Sequence, residues 1–187
     1  MSRIYTTEHA PLDRLLGGGI HSGELLLVRV AGGNETLQRV YTMFCRLPSD
    51  VYSIDLTKVA VHSPADLAGI SRSIAVTNGE VQVLCAPSKA DVSGTPERRM
   101  TRHQQAQAQW GLVLPSMKEY ARSNRLALVV VESSCPDSEG PLGAPVWVRN
   151  SDRIVGVVPE GEGLRFDLRK GPCFPVPFKK SCMVQDS

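Results

Sequence analysis

Residues 29–36, Arg-Val-Ala-Gly-Gly-Asn-Glu-Thr, stand where an apolar run gives way to a Gly-Gly turn and then to a helical pattern. A strand, a glycine turn and a helix in that order are the layout of a phosphate loop. In the pattern G-x-x-x-x-G-K-[ST] the glycine amides cradle phosphate, the lysine neutralises it and the hydroxyl binds magnesium. Counted back from Thr36, the first glycine of that pattern is Arg29, the second is Asn34 and the lysine is Glu35. Gly32 and Gly33 keep a glycine turn, and Thr36 keeps the hydroxyl. A carboxylate facing a triphosphate is repulsive, and the more so where water is excluded. Residues 29–36 therefore read as a degenerate P-loop, and no catalytic residue is expected there.

Little else in the chain has the spacing of chemistry. His9, His21, His62 and His103 share no ligand spacing, and no G-x-S-x-G elbow is present. Cys45, Cys85, Cys135, Cys173 and Cys182 are scattered without a CxxC pair, which argues against a disulfide framework or a zinc site. Reduced thiols of a cytosolic or nuclear protein fit them better. No metal site is expected. Trp110, on a long helix, and Trp147, on a strand, read as core residues.

The elements that must position residues 29–36 follow from periodicity. "ELLLVRV" (24–30) predicts a buried strand. Leu37, Val40, Tyr41, Phe44 and Leu47 then fall at helical spacing, with Asn34 or Thr36 as the expected cap. Further strands are expected at 51–56, 80–86 and 125–134, and helices at 63–76 and 98–124, the latter interrupted near Gly111 and Pro115. Polar loops are expected at 87–99 and 135–146. Residues 146–171 read as two or three late strands with a tight turn at 159–163. The pattern predicts an α/β fold with a mostly parallel sheet flanked by helices and late antiparallel strands. The 187 residues, 42% hydrophobic and 21% charged, suit one compact domain. A net charge of +2 permits nucleic-acid binding without arguing for it. No signal peptide or membrane-spanning run is read.

"LDRLLGGGIHSGELLLV" (12–28) resembles the entry to the ATPase core of RecA-like recombinases, above all the archaeal and eukaryotic strand-exchange recombinases and their paralogues. The likeness continues in order through 99–134, "GPLGAPVWVRNSDRIV" (140–155), "LRFDLRKGPCFPVPF" (164–178) and "MVQDS" (183–187). It implies a RecA-like P-loop ATPase core spanning 1–187 as a single domain, without the family's N-terminal domain or oligomerisation linker. It also implies where the family's ATPase parts would fall, and each departs from the pattern. The second metal-supporting strand ends in Ala86, Pro87 and Ser88 rather than Asp. After the second strand Asp55 is kept, but Thr57 takes the place of the catalytic glutamate. The sensing Asn-Gln pair is Glu132 and Ser133.

Four departures together imply a pseudo-ATPase: no enzyme and no cofactor, with ATP and magnesium bound only weakly or in trans. By position, the family's two DNA loops correspond to 87–99 and 133–146. The first brings Lys89, Arg98 and Arg99, with Arg102 one turn on, as DNA-binding residues. The same arginines also suit a solvated helix start. The second carries Asp137 and Glu139 and no aromatic residue, which departs from a DNA-gripping loop.

The resemblance implies an accessory factor in homologous recombination and DNA repair. Its expected partner is a recombinase or another paralogue, whose filament on single-stranded DNA it stabilises or remodels, in the nucleus if eukaryotic and otherwise in the cytoplasm. Two alternatives stand beside it: a subunit of a composite ATPase that binds nucleotide at a shared interface, and a RecA-fold scaffold with no DNA role.

Overall fold

The computed structural model describes residues 3–55, 69, 79–85, 111, 114–133, 144–171 and 180–185. The chain opens with a short antiparallel pair, β1 (Ile4–Tyr5) and β2 (Ile20–His21), around α1 (Ala10–Leu15). Asp13 explains why the segment closes on itself. One of its carboxylate oxygens accepts bonds from both the backbone N–H and the hydroxyl of Thr7, each at 2.8 Å. Leu12, Leu15 and Leu16 are buried beneath it.

The main sheet holds β3 (Leu25–Val30), β4 (Val51–Asp55), β5 (Val81–Cys85), β6 (Ala127–Ser133), β7 (Arg153–Glu160), β8 (Gly163–Lys170) and β9 (Lys180–Gln185). Their spatial order is β4-β5-β6-β3-β7-β8-β9. The first five positions pair in parallel, and β7, β8 and β9 pair antiparallel. The expected mixed, mostly parallel α/β sheet with late antiparallel strands is the one observed.

Both faces of β3 are covered, which is why it is apolar almost throughout. Leu26, Val28 and Val30 pack with Leu37, Val40 and Phe44 of α2 (Asn34–Cys45) on one face. Leu25 and Leu27 pack on the other with Leu114 and Met117 of α3 (114–123) and Trp147 of α4 (Ala144–Asn150). Burying a side chain of this size contributes about 2 kcal/mol. The 3.6-residue spacing read in 37–47 is therefore the packing face of α2.

Two readings need correction. Residues 146–150 are helix rather than strand, so Trp147 lies on a helix, buried in the core. Topology is the reason. β7 runs parallel to β6 and β3, so the chain must return to the opposite end of the sheet before β7 starts, and a helix makes such a crossover. Ser151 Oγ donates to the Trp147 carbonyl at 2.6 Å, and Lys170 Nζ donates to the Val148 carbonyl at 3.3 Å, closing the end of α4. Second, neither Asn34 nor Thr36 caps α2. Gly33 is the N-cap residue, and no side chain bonds to the end. The helix expected over 98–124 is described at Gly111 and over 114–123, which includes Pro115; residues 112 and 113 between them lie outside the described residues.

The expected helix at 63–76 lies outside the described residues apart from Gly69, which is helical. The loop at 87–99 and Trp110 lie outside them altogether. No helix among the described residues is long and apolar enough to cross a membrane.

Candidate functional site

In an open α/β sheet ligands bind outside the carboxyl ends of the strands, at the point where the connections leave on opposite faces. Here that point is the end of β3. The connection out of β3 runs through α2 on one face, and the connection from β6 to β7 runs through α4 on the other. Residues 29–36 therefore sit at the sheet position where a ligand is expected.

Its local geometry differs from a cradle. Arg29 and Val30 are still strand, paired with Glu132 and Ser133 of β6 and with Gly156 and Val157 of β7. Asn34, Glu35 and Thr36 are already helix. Only Ala31, Gly32 and Gly33 remain between strand and helix, and the Ala31 N–H donates to the Val157 carbonyl at 2.7 Å. Gly32 has φ +138°, and a Cβ there would lie 2.9 Å from Thr36 Oγ1. Glycine is required at this position by the turn itself and by the approach of Thr36. Glu35 is exposed in the first turn of α2, where its charge complements the helix dipole. Thr36 is half-buried.

The strongest electrostatic feature is the pair across β3 and β6. Arg29 Nε lies 2.8 Å from Glu132 Oε1, with side-chain exposures of 21% and 2%. The two residues are register partners on adjacent strands, on the face covered by α3 and α4. Burial pushes the Glu132 carboxyl up to about 7, against the opposing charge and hydrogen bond of Arg29. Its second oxygen, Oε2, is buried without a hydrogen-bond partner. Each residue is the single charge of an otherwise apolar strand, Arg29 in "LLLVRV" and Glu132 in "ALVVVES". That pattern is the signal by which the pair is legible in the sequence.

Asp55 closes β4 and stands apart from the Arg29–Glu132 pair, with β5 between β4 and β6. Near it, Tyr41 hydrogen-bonds Ser53 and Cys45. Burial raises both the Tyr41 hydroxyl and the Cys45 thiol, so the cluster holds no activated nucleophile. Lys89, Arg98, Arg99 and Arg102, the expected DNA contacts, lie outside the described residues, as do Thr57, Ala86, Pro87 and Ser88. Among the described residues no three His, Cys, Asp or Glu side chains are grouped to hold a metal. A depression of about 540 Å³ lies away from β3, at the β7–β8 turn, lined by Glu160, Glu162, Gly163, Met183 and Gln185.

One residue beside the site escaped the sequence reading: Gly156, the β7 partner of Arg29, over which the guanidinium of Arg169 lies. A glycine between β-branched residues in "RIVGVVPE" marks such a close approach.

No protein-family model matches the chain, and no curated protein matches it.

Proposed function

We propose that the chain is a RecA-like recombinase paralogue that does not hydrolyse ATP and acts by association. Its role is to bind a recombinase or another paralogue and to stabilise or remodel its filament on single-stranded DNA. The observation that carries this reading is the end of β3. The first-glycine position is an arginine held in the strand ladder and ion-paired to Glu132, and the lysine position is a carboxylate in the first turn of α2. A triphosphate with magnesium does not fit these residues: three turn residues stand where the long glycine cradle would be, and the first turn of the helix carries an anionic side chain, Glu35.

The sheet order supports the family part of the proposal. It sets the carboxyl ends of β3, β6, β5 and β4 side by side, where the resemblance expects the phosphate loop, the sensor, the metal-supporting position and the Asp55 segment. What remains without phosphate chemistry is a covered sheet with helices on both faces, a rigid body suited to a protein interface.

The deciding experiment is recovery of the tagged chain from its native cells. A strand-exchange recombinase or a paralogue with an intact P-loop should be recovered with it. Recovery of unrelated proteins alone, with recombinase present in the lysate, overturns the proposal. Glu35→Lys is expected to leave ATP turnover of the purified chain at background, because Arg29 still occupies the first-glycine position. An increase in turnover of the recovered complex by that variant would instead favour a composite ATPase.

A further inference from the structure

The antiparallel strand β8 carries a bulge opposite β7. Ile154 pairs with Lys170 and Val155 with Leu168, which leaves Arg169 as the extra residue. A bulge of this kind turns consecutive side chains to one face and re-aims them. Lys170 is turned towards α4 and donates to the carbonyls of Val148 and Ser151. Arg169 lies over Gly156, its guanidinium atoms 2.4–2.6 Å from where a Cβ on that residue would be. Gly156 is the register partner of Arg29 on β7, and Glu132 is the partner of Arg29 on β6. One row across the sheet therefore reads Glu132, Arg29, Gly156 with Arg169 upon it, all on the face away from α2. Adjacent strands lie about 4.8 Å apart, so the Arg169 guanidinium sits about one strand spacing from the Arg29 Cβ, on the face that carries the Arg29–Glu132 pair.

The donors in this row are largely uncommitted. Arg29 gives its Nε N–H to Glu132, and its terminal amino groups have no protein partner among the described residues. Arg169 is exposed and makes no hydrogen bond or ion pair among them. Glu132 Oε2 is buried and unpartnered. Two cations against one carboxylate leave the row with excess positive charge and unused N–H donors, and the glycine makes room for the second guanidinium.

We propose that Arg29 and Arg169, side by side across Gly156, bind a terminal phosphate group, with Glu132 as the resident counter-charge that the phosphate displaces from Arg29. Phosphate is favoured over a carboxylate because two guanidinium groups offer paired N–H donors to its tetrahedral oxygens, and buried Glu132 becomes neutral by taking up a proton when Arg29 leaves it. The site lies on the sheet face opposite α2, so it uses neither the Gly32–Gly33 turn nor the amides of that helix. It stands whether or not the recombinase reading does.

Inorganic phosphate titrated into the isotope-labelled full chain, followed by NMR at the Gly156 amide and the arginine Nε–H groups, tests this. Saturable shifts are expected at Gly156, Arg29 and Arg169. Arg169→Ala, an exposed position whose loss does not threaten the fold, is expected to weaken binding about tenfold or more, the loss of charge-assisted bonds. Gly156→Ala is expected to weaken it too, by displacing the guanidinium. Glu132→Gln is expected to tighten it. Equal binding by the wild type and Arg169→Ala overturns the proposal, as does a shift pattern centred elsewhere. Acetate at matched ionic strength producing the same saturable shifts overturns the assignment to phosphate.

Discussion

Replacing Arg153 with methionine is expected to lower the unfolding free energy by about 3 kcal/mol, a large part of the stability of a typical domain. Arg153 opens β7 and is 6% exposed. Its guanidinium donates to the Leu16 carbonyl and reaches the Gly19 carbonyl at 3.4 Å. Its Nε lies 2.9 Å from Glu24 Oε2, close enough for an ion pair although the N–H is not aimed at that oxygen. One side chain thus holds the end of α1, the glycine turn and the start of β3 against the start of β7. Methionine keeps much of the volume and removes every donor, which strands two carbonyls and a partly buried carboxylate. Glu24→Gln should cost much less, because Arg153 keeps its two carbonyl acceptors. Urea unfolding of the two variants measures the difference. A loss below about 1 kcal/mol for Arg153→Met, within the range of exposed pairs, would show that the contacts add little.

The second large effect is a dependence of stability on pH carried by Glu132. In the folded chain its carboxyl is pushed up from 4.5 to about 7 by burial. The folded state therefore keeps a proton that the unfolded state gives up between those values. The contribution is fully present below about 4.5 and is lost as pH rises towards 7 and beyond. A displacement of that size corresponds to about 3 kcal/mol, at about 1.4 kcal/mol per pH unit. Glu132→Gln removes the titrating group and keeps an acceptor for Arg29. The variant should be more stable than the wild type at pH 8 and should lose the downward slope between pH 5 and 7. Urea unfolding of both proteins across that range gives the slope by difference, so the titration of other groups cancels. Parallel curves would place the titration of Glu132 outside this window.

The same pair shows how far the site was legible. Arg29 and Glu132 each stood out as a departure from a phosphate-binding pattern, Arg29 for a glycine and Glu132 for a sensor. Taken one at a time, they described only what was lacking. Their equal depth in adjacent parallel strands makes them one interaction, and strand adjacency is not a local property. The order β6-β3-β7 joins residues over one hundred positions apart in the chain. Arg169 was harder still. Its place depends on a bulge, and a bulge is a matter of register between two strands, with no composition of its own.

The apolar runs and their spacing were sufficient for β3, β6 and the packing face of α2, because burial on two faces demands unbroken hydrophobic strands and burial on one stripe demands a 3.6-residue period. The order of the α and β patterns was sufficient for a mostly parallel sheet ending in antiparallel strands. The absence of the motif lysine and of both motif glycines at 29–36 was also plain, since it needs only the residue types. Tertiary structure decided the rest. It made 146–150 a helix, since a parallel strand needs a crossover. It moved the α2 cap to Gly33, since the strand pairing ran on through Val30. It also brought Arg29, Glu132, Gly156 and Arg169 into one row, because sheet order and register are set by the packing of the whole chain and not by any segment of it.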